Sequence, residues 1–225
     1  MANSLCKNTL IAVLFCLTLI IGGCGEKSGT PIGSQLPSPM DTDYVNLEEY
    51  IPGIHISLAY YTKNNFTGQK LYDSPVAYLR RGTADKLKKV SDEASRDGYR
   101  LIILDAYRPP EVQWKMWEKY PDSRFVANPH KGYSDHSRGC AVDLTLLDAQ
   151  GRPVEMPSGF DQFGPSADRN YSDVSPARGA NARYLEKIMI PNGFHPAVTE
   201  WWHFVDVDRE KYDVSEKPEK PPAVS

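Results

Sequence analysis

The segment Gly132-Tyr133-Ser134-Asp135-His136-Ser137-Arg138-Gly139-Cys140-Ala141-Val142-Asp143-Leu144-Thr145-Leu146 constrains the fold more than any other. From Cys140 onward apolar and polar residues alternate as in a strand. With a period of two, Ala141, Asp143 and Thr145 share one face, while Val142, Leu144 and Leu146 take the other. An acid is thereby set in the middle of a mostly apolar element. An isolated buried carboxylate is too costly to keep, so Asp143 requires a partner. His136 stands seven positions earlier, with Gly139 between the two. A His-x6-Asp pair is common by chance, and the rest of the chain must supply what would give it meaning.

A chain of 225 residues with 40% hydrophobic content has room for one well-cored domain and something at each end. The net charge of -3 and the lack of any basic stripe offer nucleic acid no footing. Three of the four cysteines, Cys6, Cys16 and Cys24, precede the domain and only Cys140 falls inside it. Neither a structural disulfide nor a cysteine-rich metal cluster is expected. Residues 1–23 read as a signal peptide, since the apolar run from Leu10 is shorter than the roughly 20 residues that span a bilayer. Ile21-Gly22-Gly23-Cys24 resembles a bacterial lipobox, which implies cleavage before Cys24, acylation of that cysteine and a lipid anchor in the cell envelope. The anchored protein would face the periplasm or the exterior. Residues 24–42 then form a flexible tether, 43–213 the domain and 214–225 a loose Pro- and charge-rich tail.

Within the domain, Ile54-His55-Ile56-Ser57-Leu58-Ala59-Tyr60 alternates like an early strand. Thr83 is placed to cap a helix carrying Leu87, Val90 and Ala94, which Gly98 ends. The apolar run 99–107 predicts a central strand that delivers Arg108, and Pro109-Pro110 opens a short helix over 111–120. Residues 148–180, dense in Gly, Pro, Ser and Asp, predict a long functional loop. A helix near 180–190 and a strand around Glu200-Trp201-Trp202-His203-Phe204-Val205-Asp206-Val207 follow. Strands and helices mix without strict alternation, which predicts a single α+β domain.

Of the five histidines, His136 and His203 lie in strand-like surroundings with acidic neighbours. Two imidazoles and the Asp143 carboxylate form the ligand set of a catalytic zinc with its fourth position open. Taken singly, each residue reads first as an ordinary polar one, and only together do they point to a metal. Glu200, three before His203, supplies an acid free to move a proton. Positions three apart on a strand face opposite ways, so Glu200 is expected in the preceding loop or at a bulge. Arg108, at the end of its strand, is placed to stabilise an oxyanion, and its alternative is a salt bridge to Asp105.

The motifs His136-Ser137-Arg138-Gly139-Cys140-Ala141-Val142-Asp143, Glu200-Trp201-Trp202-His203 and Asp105-Ala106-Tyr107-Arg108-Pro109 together resemble the D-alanyl-D-alanine dipeptidases of the vancomycin-resistance type. The likeness runs from about Tyr44 to Tyr212 and includes Asn65-Phe66-Thr67-Gly68 and Gly159-Phe160-Asp161. It implies a central antiparallel sheet flanked by helices, the zinc D,D-peptidase or hedgehog-like fold. One zinc per chain would be held by His136, Asp143 and His203. Glu200 would be catalytic base and acid, Arg108 the transition-state stabiliser, and Tyr60, Ser134 and Asp161 the contacts to a small D,D-dipeptide. No protein partner is implied. Two departures stand out: Asp135 beside Ser134 adds negative charge, and Cys140 replaces a smaller residue. The rival readings are a D,D-carboxypeptidase or endopeptidase acting on peptidoglycan peptides, and a non-catalytic binding lipoprotein.

Overall fold

The computed structural model describes residues 39–214. In chain order it comprises α1 (Pro39–Thr42), β1 (Tyr44–Asn46), α2 (Leu47–Tyr50), β2 (His55–Ile56), β3 (Tyr78–Arg80), α3 (Arg81–Arg96) and β4 (Arg100–Asp105). Then come α4 (Pro110–Lys119), α5 (Asp135–Arg138), β5 (Ala141–Leu147), α6 (Pro176–Met189), β6 (Phe194–Pro196) and β7 (His203–Asp206). One sheet has the order β2-β4-β5-β7-β6, and β1 and β3 form a separate antiparallel pair. The α+β reading holds, and the large sheet is antiparallel except at one edge, where β2 runs parallel to β4. That exception follows from connectivity: the chain crosses from β2 to β4 through α3, and a helical crossover returns a strand in the same direction.

The alternation in β5 is realised. Val142, Leu144 and Leu146 are buried in the main apolar cluster with Leu101 and Ile103 of β4 and Phe204 of β7. Against it lie Leu87, Val90 and Ala94 of α3 and Leu185, Ile188 and Met189 of α6, all at helical spacing. Burying each large side chain contributes about 1.5–3 kcal/mol, which explains why these two faces order the helices.

Several boundaries differ from expectation. Thr83 does not cap α3; the helix starts at Arg81, and the buried Thr83 hydroxyl donates to Asp206 Oδ2 at 2.7 Å. A tertiary acceptor has outcompeted the local cap. The predicted strand over 54–60 shrinks to two residues, and Ala59–Tyr61 is a 3-10 turn. There the Tyr60 carbonyl accepts from Leu71 N and Tyr72 N at 2.8 and 3.0 Å, so a loop rather than a strand satisfies it. α6 begins earlier than expected, at Pro176, because Ser175 caps it through Arg178 N. The expectations for the leader, for Cys24 and for most of the tether and tail lie outside the described residues, although Pro39–Thr42 forms a helical turn. Among the described residues, no helix is long and apolar enough to cross a membrane.

Gly139 joins α5 to β5 with φ +74, and a Cβ there would stand 2.4 Å from the Tyr44 ring. Left-handed strain and overpacking each cost about 1–3 kcal/mol. Gly139→Ala is therefore expected to lower the urea midpoint by an amount equivalent to about 2–6 kcal/mol. An unchanged midpoint would mean that Tyr44 moves aside freely.

Candidate metal centre and catalytic cavity

Two adjacent strands and one helical turn bring the predicted ligands together. Asp143 and His203 are register partners across β5 and β7, so both side chains leave the same face of the sheet. His203 Nδ1 lies 2.8 Å from Asp143 Oδ1. His136 is not in strand-like surroundings; it sits on the single turn α5. The Ser134 hydroxyl accepts from His136 N at 3.2 Å and Gly139 closes the turn, and such a cap-and-glycine pair overrides the flanking strand character. His136 Nδ1 lies 2.7 Å from the Ala106 carbonyl and is oriented as a donor to it. That bond selects the tautomer whose Nε2 lone pair is available as a ligand. This Nε2 is 3.1 Å from His203 Nδ1 and 3.4 Å from Asp143 Oδ1.

The three facing atoms thus form a triangle with edges of 2.8, 3.1 and 3.4 Å. A tetrahedral zinc with bonds of roughly 2.0–2.1 Å holds its ligand atoms about 3.3 Å apart, so the donor set and its spacing fit that ion. Among the described residues this is the one group able to hold a metal. Burial opposes the charge on Asp143, but the neighbouring His136 and then His203 outweigh it and hold the carboxyl well below the usual range. Cys140 takes no part: its thiol is buried, directed at Asp135 O at 3.4 Å, and burial pushes its pKa up.

Arg108 forms the expected salt bridge to Asp105 and also lines the cavity. Its Nε and Nη2 donate to Asp105 Oδ2 at 3.0 and 2.6 Å, Nη1 donates to Gln113 Oε1 at 2.8 Å, and Nη2 lies 3.9 Å from Asp143 Oδ2. Asp105 Oδ1 accepts from the Tyr72 hydroxyl at 2.5 Å and from Ala106 N at 2.9 Å. The salt bridge therefore does not compete with an electrostatic role; it locks the cation in the cavity wall. A register shift sets this up. Ile103 pairs with Leu144, but Asp105 pairs with Asp143, so a bulge lies between them. Without it Asp105 would share the core-facing side of Ile103. Tyr72 and Gln113, which complete this network, carry no local sequence signal.

Glu200 lies in the loop before β7, as its spacing from His203 requires, and is only 8% exposed. Burial, then the charge of Asp143, raises its pKa well above the usual carboxylate range, while Arg108 pulls it back. A carboxyl in that setting parts with its proton less readily than a free one, which suits a group that must carry a proton between two partners. Asp161 adopts φ +59 and turns its carboxylate inward, where Tyr60 OH donates to Oδ1 at 3.0 Å and Phe66 N donates to Oδ2 at 3.3 Å. Burial raises the Asp161 pKa to about 7, against the pull of the Tyr60 hydrogen bond. Tyr60, buried and with its own pKa raised, stays a donor. Asp135 is met by Arg209 Nη1 at 3.3 Å and by Arg138 Nε at 3.9 Å, so two guanidiniums offset the charge that it adds beside Ser134.

Tyr60, Arg108, Ser134, Asp143, Asp161 and Glu200 all line one cavity of about 200 Å3, together with both candidate zinc histidines. The remaining histidines lie elsewhere; His130, for example, stacks edge-on with Trp114.

The family described as D-ala-D-ala dipeptidase matches residues 40–217. A D-alanyl-D-alanine dipeptidase of Escherichia coli (strain K12) is 36% identical over 163 residues, covering 72% of this chain and 84% of the relative. One from Enterococcus faecium is 32% identical over 188 residues, covering 74% of this chain and 92% of the relative. Among solved structures, a vancomycin-resistance D,D-pentapeptidase in complex with Zn(II) is 20% identical with a TM-score of 0.39, covering 60% of this chain and 75% of that one.

Proposed function

The chain belongs to the D-Ala-D-Ala dipeptidase family, and on that premise we propose that it hydrolyses D-Ala-D-Ala, or a closely related D,D-dipeptide, to free D-amino acids with one zinc held by His136, Asp143 and His203. The observation that carries this reading is the convergence, in one small buried cavity, of a three-atom ligand triangle with an acid, a fixed cation and an inward-facing carboxylate. Zinc, when bound, supplies a Lewis acid that activates water and polarises a carbonyl. Glu200 accepts the proton of the attacking water on its carboxylate and delivers it to the leaving amine. Arg108, immobilised by Asp105 and Gln113, faces the oxygen on which negative charge develops. Asp161, steadied by Tyr60, pairs with the substrate ammonium, and Ser134 borders the same space.

The dipeptidase names of the matching family and of its relatives favour the dipeptide over the carboxypeptidase and endopeptidase alternatives. The zinc-loaded protein is expected to release D-alanine from D-Ala-D-Ala, to lose that activity to a chelator and to regain it with zinc. A folded, zinc-loaded protein that cleaves only a stem pentapeptide would replace this reading with the carboxypeptidase one. Zinc binding without either activity would favour a binding lipoprotein.

Asp161 contributes to the acid limb of the reaction alongside Glu200. Below about 7 its carboxyl is neutral in the free enzyme while the substrate amine remains charged, so kcat/KM should fall as pH drops through that value. Asp161→Asn should lower kcat/KM about 10–100-fold near pH 8, the loss of one charge-assisted contact, and flatten that limb. A variant with the wild-type pH profile would assign the limb to another group.

Export and anchoring through acylated Cys24 are part of the proposal, supported by Ile21-Gly22-Gly23-Cys24. Incorporation of labelled fatty acid into the wild type but not into Cys24→Ala is the expected result, and equal labelling of both would overturn it.

A further inference from the structure

Glu200 and His203 ride on one hairpin, and the side chain that braces its base comes from elsewhere. β6 and β7 part after the Pro196–Phe204 pair, and Glu200 lies within the loop that joins them. At the base of that loop Ala197 N donates to His203 O at 3.0 Å. Arg169, from the long 148–180 segment, lies across the same base: Nε donates to Ala197 O at 2.6 Å and Nη2 to His203 O at 3.0 Å. Its backbone N donates to Val198 O at 3.2 Å, and Ala167 O accepts from Trp201 N at 2.8 Å. Backbone groups on both sides of Glu200 are thereby tied to residues 167–169.

The guanidinium is itself held. Its side chain is 10% exposed, Nη1 donates to Glu186 Oε1 at 3.0 Å, and the cation packs 4.5 Å from the centroid of the Phe204 ring. The Tyr171 hydroxyl donates to the same Glu186 oxygen, and Tyr171 holds a left-handed backbone with φ +57 to reach it. A bulky residue seldom adopts that conformation unless its surroundings require it. Arg169 does not line the catalytic cavity; it reaches Glu200 through the loop that it braces and through its charge, which pulls the Glu200 pKa down.

We propose that Arg169, braced by Glu186 and Tyr171, is a positioning residue that fixes the spacing of Glu200 and His203 by clamping the base of their hairpin. The proposal rests on the dipeptidase reading for its kinetic part and on the His136, Asp143 and His203 ligand set for its metal part. Because the clamp grips the backbone of a ligand and flanks the base, zinc affinity and kcat should fall together. Substrate binding through Asp161 and Tyr60, which Arg169 does not touch, should persist.

The test uses the full chain with Arg169→Met, Arg169→Lys and Glu186→Gln. Zinc affinity is measured by competition with a chromophoric chelator, kcat and KM on D-Ala-D-Ala at saturating zinc, and the urea midpoint as a control. Arg169→Met is expected to weaken zinc binding and lower kcat about 10–100-fold each, as loss of a group supporting a ligand does. KM should stay within about threefold, the pattern of an interaction that orders the reacting groups rather than the substrate. Arg169→Lys should recover part of both losses, and Glu186→Gln should show a smaller loss in the same direction. Wild-type zinc affinity and kcat in Arg169→Met, whatever its urea midpoint, would reduce the clamp to a structural ion pair. If that variant does not fold, the same two values at wild-type level in Arg169→Lys and Glu186→Gln overturn the proposal. Should the wild type bind zinc yet leave D-Ala-D-Ala intact, the functional reading fails, and the chelator competition still decides the role of Arg169.

Discussion

Replacing Glu200 by Gln is expected to lower kcat on D-Ala-D-Ala about 10²–10⁴-fold, the range that a positioned general acid–base contributes, while zinc remains bound. The substitution keeps the shape of the side chain in a site only 8% exposed and removes its ability to accept a proton. Glu200 is not among the three residues whose ligand atoms converge, so the metal content should not change. Zinc per chain, measured on the purified variant, separates the two roles. A protein that loses its zinc would make Glu200 a ligand, and one that keeps wild-type turnover would remove it from the chemistry. Burial and the nearby Asp143 raise the cost of a charge at Glu200, so the neutral amide should fold at least as readily.

Arg108→Ala should damage both stability and rate, and the two losses can be separated. Asp105 is fully buried and takes two of its hydrogen bonds from this guanidinium. Breaking a buried pair by removing one partner typically costs about 3–5 kcal/mol. Asp105 keeps Tyr72 and Ala106 as donors, which places the expected loss toward the lower end of that range. Loss of one preorganised oxyanion donor should lower kcat about 10²–10³-fold. Adding Asp105→Asn removes the orphaned charge and should recover much of the stability but none of the rate. Recovery of both would show that Arg108 serves only to neutralise Asp105. Arg108→Lys should keep charge but not the forked geometry that engages Asp105 and Gln113 together, and is expected to fall between wild type and Ala.

The residues that carry chemistry were legible because each breaks the pattern of its own element. An acid in an apolar strand demanded a partner, and an acid three positions before a histidine had to leave the strand. Asp143 and Glu200 stand where those arguments put them, one on β5 and the other in the loop before β7. His136 was found for its chemistry but assigned to the wrong element, because the Ser134 cap and Gly139 act over a single turn that apolar periodicity does not register. Thr83 shows the reverse case, a residue with a good local signal that a buried carboxylate from another element claimed instead.

By itself, then, the sequence determined the fold class, the central strand, the donor set that converges and the place of Glu200 ahead of its strand. These follow from periodicity, burial cost and residue chemistry, all of which act along the chain. Only the tertiary structure decided that Asp143 stands opposite His203, that a bulge turns Asp105 toward the cavity to lock Arg108, and that Arg169 clamps the hairpin carrying Glu200. Each of those depends on strand register or on a contact between residues far apart in the chain. Register is set by how whole faces pack against the core, and no local window of residues contains that information.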